Sequence, residues 1–218
     1  MKAWFSEFLG TFLLVFCGTG AIIVNEFYGV VTHVGIAITF GLTVMVLIEI
    51  FGPISGAHFN PAVTMGFWIQ KAISFKKAVV YILAQCAGAL GASALYRLWF
   101  PTSHTLGATL PNGPIAVVFL MESILTVILM LAILRVSKRG KEKGLPAAVT
   151  IGSVVGLEAL FAGPLTGASM NPARSLAPAL CSGHTEYLWV YLLAPLFGVC
   201  VAVLLFKWIN SVNANEGK

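Results

Sequence analysis

Gly52-Pro53-Ile54-Ser55-Gly56-Ala57-His58-Phe59-Asn60-Pro61-Ala62 occurs a second time, little changed, as Gly163-Pro164-Leu165-Thr166-Gly167-Ala168-Ser169-Met170-Asn171-Pro172-Ala173. The copies stand 111 residues apart (171 − 60) in a chain of 218. Asn is a strong helix N-cap and Pro suits the first helical position, so each copy predicts a helix that begins at its Asn. The apolar stretches that follow, about 60–70 and 171–181, are too short to cross a hydrocarbon core of ~30 Å.

Outward from these copies, longer apolar runs lie at about 5–24, 34–51, 78–98, 115–135, 147–162 and 187–209. A spanning helix needs roughly 20 such residues. Composition agrees: 58% of the chain is hydrophobic, 10% is charged and the mean hydropathy is +0.92. Soluble domains carry about 25% charged residues, so a water-facing surface is excluded. The net charge of +5 comes from 13 Lys and Arg against 8 acidic residues, all Glu. These basic residues gather at the ends of apolar runs, which orients a membrane protein and does not point to nucleic acid. The first run follows Lys2, carries Glu7 at its start and lacks a small-residue cleavage site; it reads as a retained membrane helix. Cys17, Cys86, Cys181 and Cys200 show no metal spacing and read as unpaired thiols, with no metal or cofactor implied.

Lys71, Lys76 and Lys77 follow the first short helix, and Arg135, Lys138, Arg139, Lys141 and Lys143 follow the fourth long run. With Lys2, Lys207 and Lys218, 11 of the 13 basic residues fall on one side of a six-span chain. Both termini and the linker 136–146 are then cytoplasmic. A further match relates Glu7 and Thr11 to Glu122 and Thr126, at an offset of 115 (122 − 7). The expectation is a single domain, 1–218, of two halves, 1–110 and 115–210, each with three spans and one short helix. An odd number of spans makes the halves insert in opposite directions, and such inverted repeats put their site at the repeat interface near the midplane.

Broken helices survive in a bilayer only where they are buried in protein or line a cavity. Two breaks related by inversion bring Asn60 and Asn171 to the centre, each at a helix N-terminus worth about half a positive charge. Backbone carbonyls of Gly56, Ala57, His58, Phe59, Gly167, Ser169 and Met170 are then candidate acceptors along a path. Donors at the middle and acceptors on either side suit polar neutral molecules, while the positive centre repels cations and interrupts a proton-conducting water chain.

The paired Asn60-Pro61-Ala62 and Asn171-Pro172-Ala173 boxes, with Arg174-Ser175 after the second, resemble the major intrinsic protein family of aquaporins and aquaglyceroporins over essentially the whole chain. The segment 162–171 is most similar to the nodulin-26-like branch of plants and its bacterial relatives. The resemblance implies an all-α hourglass of six membrane helices and two re-entrant half-helices. It also implies a homotetramer with one pore per subunit, in the cell membrane, conducting water and small neutral solutes. In the family, glutamates matching Glu7 and Glu122 accept hydrogen bonds from the re-entrant loop backbone.

Four constriction positions of the family correspond here to Phe40, Ala159, Ala168 and Arg174. Ala159 stands where strict water channels have His, and Ala168 where they have a small polar residue or Cys. The implied constriction is wider and less polar than that of a water-only pore, which admits glycerol, urea or neutral metalloid hydroxides as solutes. Pro53 stands where many members have His, which leaves His58 as the pore-side histidine.

Three expectations concern residues outside the motifs. Small residues at Ala84, Gly88 and Ala92, and again at Ala194, Gly198 and Ala202, predict packing of one half against the other. The tail after Asn210 is polar and predicted disordered. Glu49 and Glu158 have no place in the repeat; Glu158 precedes Ala159, so the two diverge by about 100° on a helix. A proton-coupled secondary transporter that uses these two carboxylates is an alternative function. So is a glycerol or arsenite-type facilitator with low water flux. An adhesion protein would be expected to have longer loops than 25–33 and 99–114, and an enzyme would need a nucleophile, cofactor or metal set.

Overall fold

A computed structural model describes residues 2–138 and 145–216, with side chains described for 2–137 and 145–212. These residues form helices α1 (Ala3–Tyr28), α2 (Thr32–Ser55), α3 (Pro61–Ile69), α4 (Phe75–Trp99), α5 (Ile115–Lys138), α6 (Leu145–Thr166), α7 (Pro172–Ser182) and α8 (Leu188–Glu216). Six of them, all but α3 and α7, are long and apolar enough to cross a membrane. The fold is the all-α arrangement of six spans and two half-helices. Of the linker 136–146, residues 139–144 lie outside the described residues.

Two helices run further than their apolar runs. α2 continues through Pro53 to Ser55 and α6 through Pro164 to Thr166. A proline in the last turn forfeits one hydrogen bond without interrupting the long ladder behind it. The stops are glycines: Gly56 at φ 94° and Gly167 at φ 85° donate back to Gly52 and Gly163. Left-handed φ at a helix C-terminus favours Gly because it has no Cβ to clash. The end of the chain departs from expectation too, since α8 continues from Asn210 to Glu216 as helix.

The glycines of the small-residue stripes pack inside each half, while Ala92 clusters with Ala173 and Ala177, and Ala202 with Ala62, across the halves. A Cβ on Gly88 of α4 would lie 2.1 Å from the Phe8 carbonyl oxygen of α1. One on Gly198 of α8 would lie 2.4 Å from the Ser123 carbonyl oxygen of α5. These are backbone-to-backbone approaches, which only a missing side chain permits. The sequence stripe identifies a close crossing but carries nothing about which helix fills it.

The halves also approach closely, backbone to backbone, where α2 crosses α6. A Cβ on Gly41 would stand 2.8 Å from the Gly152 oxygen, and one on Gly152 would stand 2.6 Å from the Gly41 oxygen. Gly41 and Gly152 are repeat equivalents at the same offset of 111 (152 − 41). Each residue facing its own equivalent is the arrangement that a pseudo-two-fold axis produces. Outside, Val34, Ile38, Leu42, Val46 and Ile50 are exposed along α2, a helical stripe of the kind that meets lipid.

Candidate functional site

Each re-entrant stretch begins where its helix has ended. After Gly56 the backbone places Ala57 at φ 51° and Phe59 at φ 49°; after Gly167 it places Ala168 at φ 42° and Met170 at φ 52°. Left-handed non-glycine residues are costly and persist only when the surroundings hold them. Three holds are visible, each present in both halves.

The first is a carboxylate. Glu7 accepts from the backbone N–H groups of His58 at 3.0 Å and Phe59 at 2.8 Å. Glu122 accepts from Ser169 at 2.9 Å and Met170 at 2.9 Å. Both glutamates are fully buried, so these donors stand in for solvent. The second hold is a hydroxyl: Ser55 and Thr166 accept from Ala57 N–H at 3.0 Å and Ala168 N–H at 2.9 Å. The third is a tyrosine. Tyr81 of α4 donates to the Ser55 carbonyl at 2.9 Å, and Tyr191 of α8 donates to the Thr166 carbonyl at 2.7 Å. Sequence reading assigned no role to these tyrosines or hydroxyls. The two tyrosines lie 110 residues apart (191 − 81), a signal present in the repeat.

So held, the stretches deliver Asn60 and Asn171 to one place. Each caps its half-helix: Asn60 Oδ1 accepts from Ala62 N–H at 2.8 Å, and Asn171 Oδ1 accepts from Ala173 N–H at 3.0 Å. Pro61 and Pro172 take the first helical position, where a missing N–H costs nothing. Each side-chain amide then crosses to the other half. Asn60 Nδ2 donates to the Met170 carbonyl at 2.7 Å, and Asn171 Nδ2 donates to the Phe59 carbonyl at 2.9 Å. An amide nitrogen has two hydrogens, so each Asn keeps one for another acceptor. The carbonyls of Phe59 and Met170 correspondingly serve the asparagines, and the stretch has fewer uncommitted acceptors than the sequence suggested.

A cavity of about 220 Å³ passes this point. Asn60, Asn171 and the expected lining residues Gly56, Ala57, His58, Phe59, Ser169 and Met170 border it, while Gly167 does not and backs onto Thr109. Phe40, Ala159, Ala168 and Arg174 border the same cavity, and so do Lys77 and Ser137. His58 stacks on Phe67 at 4.5 Å between ring centroids, and its Nδ1 lies 3.1 Å from Thr64 Oγ1. Pro61, Ala62, Pro172 and Ala173 are buried behind the lining.

Arg174 is 3% exposed, with Nη1 donating to the Gly107 carbonyl at 2.8 Å. The segment 100–114 carries no motif, and nothing in its sequence marked Gly107 as this anchor. Neither Glu49 nor Glu158 borders the cavity. Glu49 is exposed on α2 beside Ile50, and Glu158 is 1% exposed with both carboxyl oxygens making no hydrogen bond among the described residues.

Six candidate spans and two half-helices that meet at a central cavity are the architecture of a membrane channel. The chain belongs to the major intrinsic protein family, whose pattern matches residues 1–206. It is 43% identical to Aquaporin NIP1-4 of Oryza sativa subsp. japonica over 206 residues, which is 94% of this chain and 76% of that relative. It is 41% identical to Nodulin-26 of Glycine max over 207 residues, again 94% and 76% of the two chains. Among solved structures, the aquaglyceroporin from Plasmodium falciparum superposes with a TM-score of 0.85 at 28% identity, covering 93% of each chain. As a member of this family the protein is a passive transmembrane channel for water and small neutral solutes, and it is not an enzyme.

Proposed function

We propose that water and small neutral solutes cross through the cavity between the halves, in single file past Asn60 and Asn171, and that Phe40, Ala159, Ala168 and Arg174 select them. The observation that carries this reading is the crossed pair of asparagine amides, which leaves one free donor from each half beside two helix N-termini. A water at that point must turn its oxygen toward both donors, which breaks a chain of aligned waters and with it proton transfer. Cations meet the same positive centre and the charge of Arg174.

Ala159 and Ala168 present only methyl groups, and this supports passage of solutes larger than water. A second reading is a glycerol or arsenite-type facilitator with low water flux. It draws on the same two methyl walls and on the likeness to an aquaglyceroporin. The distribution of Lys and Arg supports both termini lying in the cytoplasm, and family membership supports a homotetramer in the cell membrane.

Stopped-flow measurement on proteoliposomes tests the function. An impermeant osmolyte reports water, and inward gradients of glycerol, urea or arsenite report the solutes. Acceleration of water together with at least one solute is expected. Solute flux with little gain in water flux selects the second reading, and no acceleration over empty vesicles sinks both.

A further inference from the structure

Glu26 lies in the last turn of α1, where a carboxylate opposes the helix dipole. Its position is explained by what it holds. Oε2 accepts from the Ser103 hydroxyl at 2.7 Å, and Oε1 accepts from the His104 N–H at 3.1 Å. Ser103 is 2% exposed and its Oγ is used twice, since it also accepts from the Leu106 N–H at 3.2 Å. Leu106 is buried against Ile23 and Tyr96 and takes φ 51°; Gly107 follows at φ 71°. Two consecutive left-handed residues turn the chain sharply. A Cβ on Gly107 would stand 2.9 Å from Thr19 of α1, so the turn is pressed against that helix. The carbonyl it presents is the one that receives Arg174 Nη1.

We propose that Glu26 and Ser103 form a clasp that positions Arg174: through the buried turn at Leu106 and Gly107, they set the width and charge of the constriction without touching the pore. The inference rests on Arg174 being a constriction residue. Without the Glu26 acceptor the Ser103 hydroxyl loses its fixed orientation and holds the Leu106 N–H more weakly; without the Ser103 hydroxyl the Leu106 N–H loses this partner altogether. The left-handed pair then relaxes and withdraws the Gly107 carbonyl. Arg174 gains freedom to move off the lumen.

The test compares glycerol-to-water permeability ratios in proteoliposomes for Glu26→Gln and Ser103→Ala, each in the native and the Arg174→Ala background. The Gln amide nitrogen cannot accept from Ser103, while its oxygen still serves His104. Either variant is expected to raise the ratio by about two- to tenfold, the factor one lost hydrogen bond represents, and to add nothing once Arg174 is gone. Asn112→Ala, which releases a different tie of the same segment to the Pro164 carbonyl, is expected to leave the ratio unchanged. If Arg174→Ala alone leaves the ratio unchanged, the constriction reading fails. If Arg174→Ala raises it but neither clasp variant does, or if their effect persists without Arg174, the clasp is overturned. Should Glu26→Gln fail to conduct water, Ser103→Ala decides by the same ratio. If neither conducts, the clasp serves folding alone and the proposal falls.

Discussion

The guanidinium carbon of Arg174 sits 5.2 Å from the ring centroid of Phe40, and the two residues come from opposite halves of the repeat. A cation over an aromatic face gains more as water is removed, and this Arg is almost entirely enclosed. The ring on one side and the Gly107 carbonyl on the other fix a full positive charge at the cavity wall.

If Arg174 selects solutes as proposed, removing its charge relaxes selection in two senses. Arg174→Ala is expected to raise glycerol flux and to admit a measurable cation leak. Both are read in the same vesicles, by light scattering and by dissipation of an imposed potassium gradient. Tight vesicles carrying an active Arg174→Ala channel with unchanged glycerol flux would show that selection occurs elsewhere.

Adding bulk to the cavity wall should act the other way. Ala159→His puts an imidazole where a methyl group now borders the cavity, and glycerol flux is expected to fall by roughly tenfold or more while water flux persists. Equal loss of both would mean a blocked pore. An unchanged ratio would remove Ala159 from the constriction.

The glutamates under the loops give a stability prediction. Glu122→Ala leaves the N–H groups of Ser169 and Met170 without their acceptor in a buried site, at about 1–3 kcal/mol for each group left unpaired. Thermal denaturation in detergent is expected to shift downward for Glu122→Ala and likewise for Glu7→Ala. Glu7 has a further dependent, since Gln85 Nε2 donates to it at 2.7 Å. A transition temperature unchanged by either variant would refute the bracing role.

Close crossings make a sharper test because the same helix supplies its own control. Gly88→Ala drives a methyl into the Phe8 carbonyl, and overpacking of this kind costs about 1–3 kcal/mol. Gly91→Ala meets only Phe12, at an ordinary 3.4 Å, and gains helix propensity instead. Gly88→Ala should therefore lower the denaturation temperature, and Gly91→Ala should hold or raise it. The reverse order would contradict the α1–α4 packing.

Glu158 supplies the opposite case. A buried carboxyl without a hydrogen bond is a cost, so Glu158→Leu is expected to stabilise the protein by about 1–3 kcal/mol with water flux retained. Destabilisation by this variant would mean the carboxyl has a partner that serves the fold.

What the sequence disclosed follows from the range of each interaction. Asn60 and Asn171 were legible because capping is settled within three residues, and the spans because hydropathy accumulates along a run. The repeat added Glu7 and Glu122. Gly107 was not legible, because its carbonyl acts on Arg174 across 67 residues through backbone atoms that any residue possesses. Gly41 and Gly152 stayed hidden for a similar reason: a single glycine in an apolar helix carries no sign of what faces it. Gly88 and Gly198 showed the limit of a pattern, which announced a close contact and misdirected its partner.

The crossed asparagine bonds also bear on how the chain is made. Asn60 finds its carbonyl acceptor at Met170, which leaves the ribosome 110 residues later. Until then the first half holds a capped half-helix whose outward amide lacks its native partner. The cavity wall is thus completed only when the second re-entrant stretch supplies Ala168, Ser169, Met170 and Asn171.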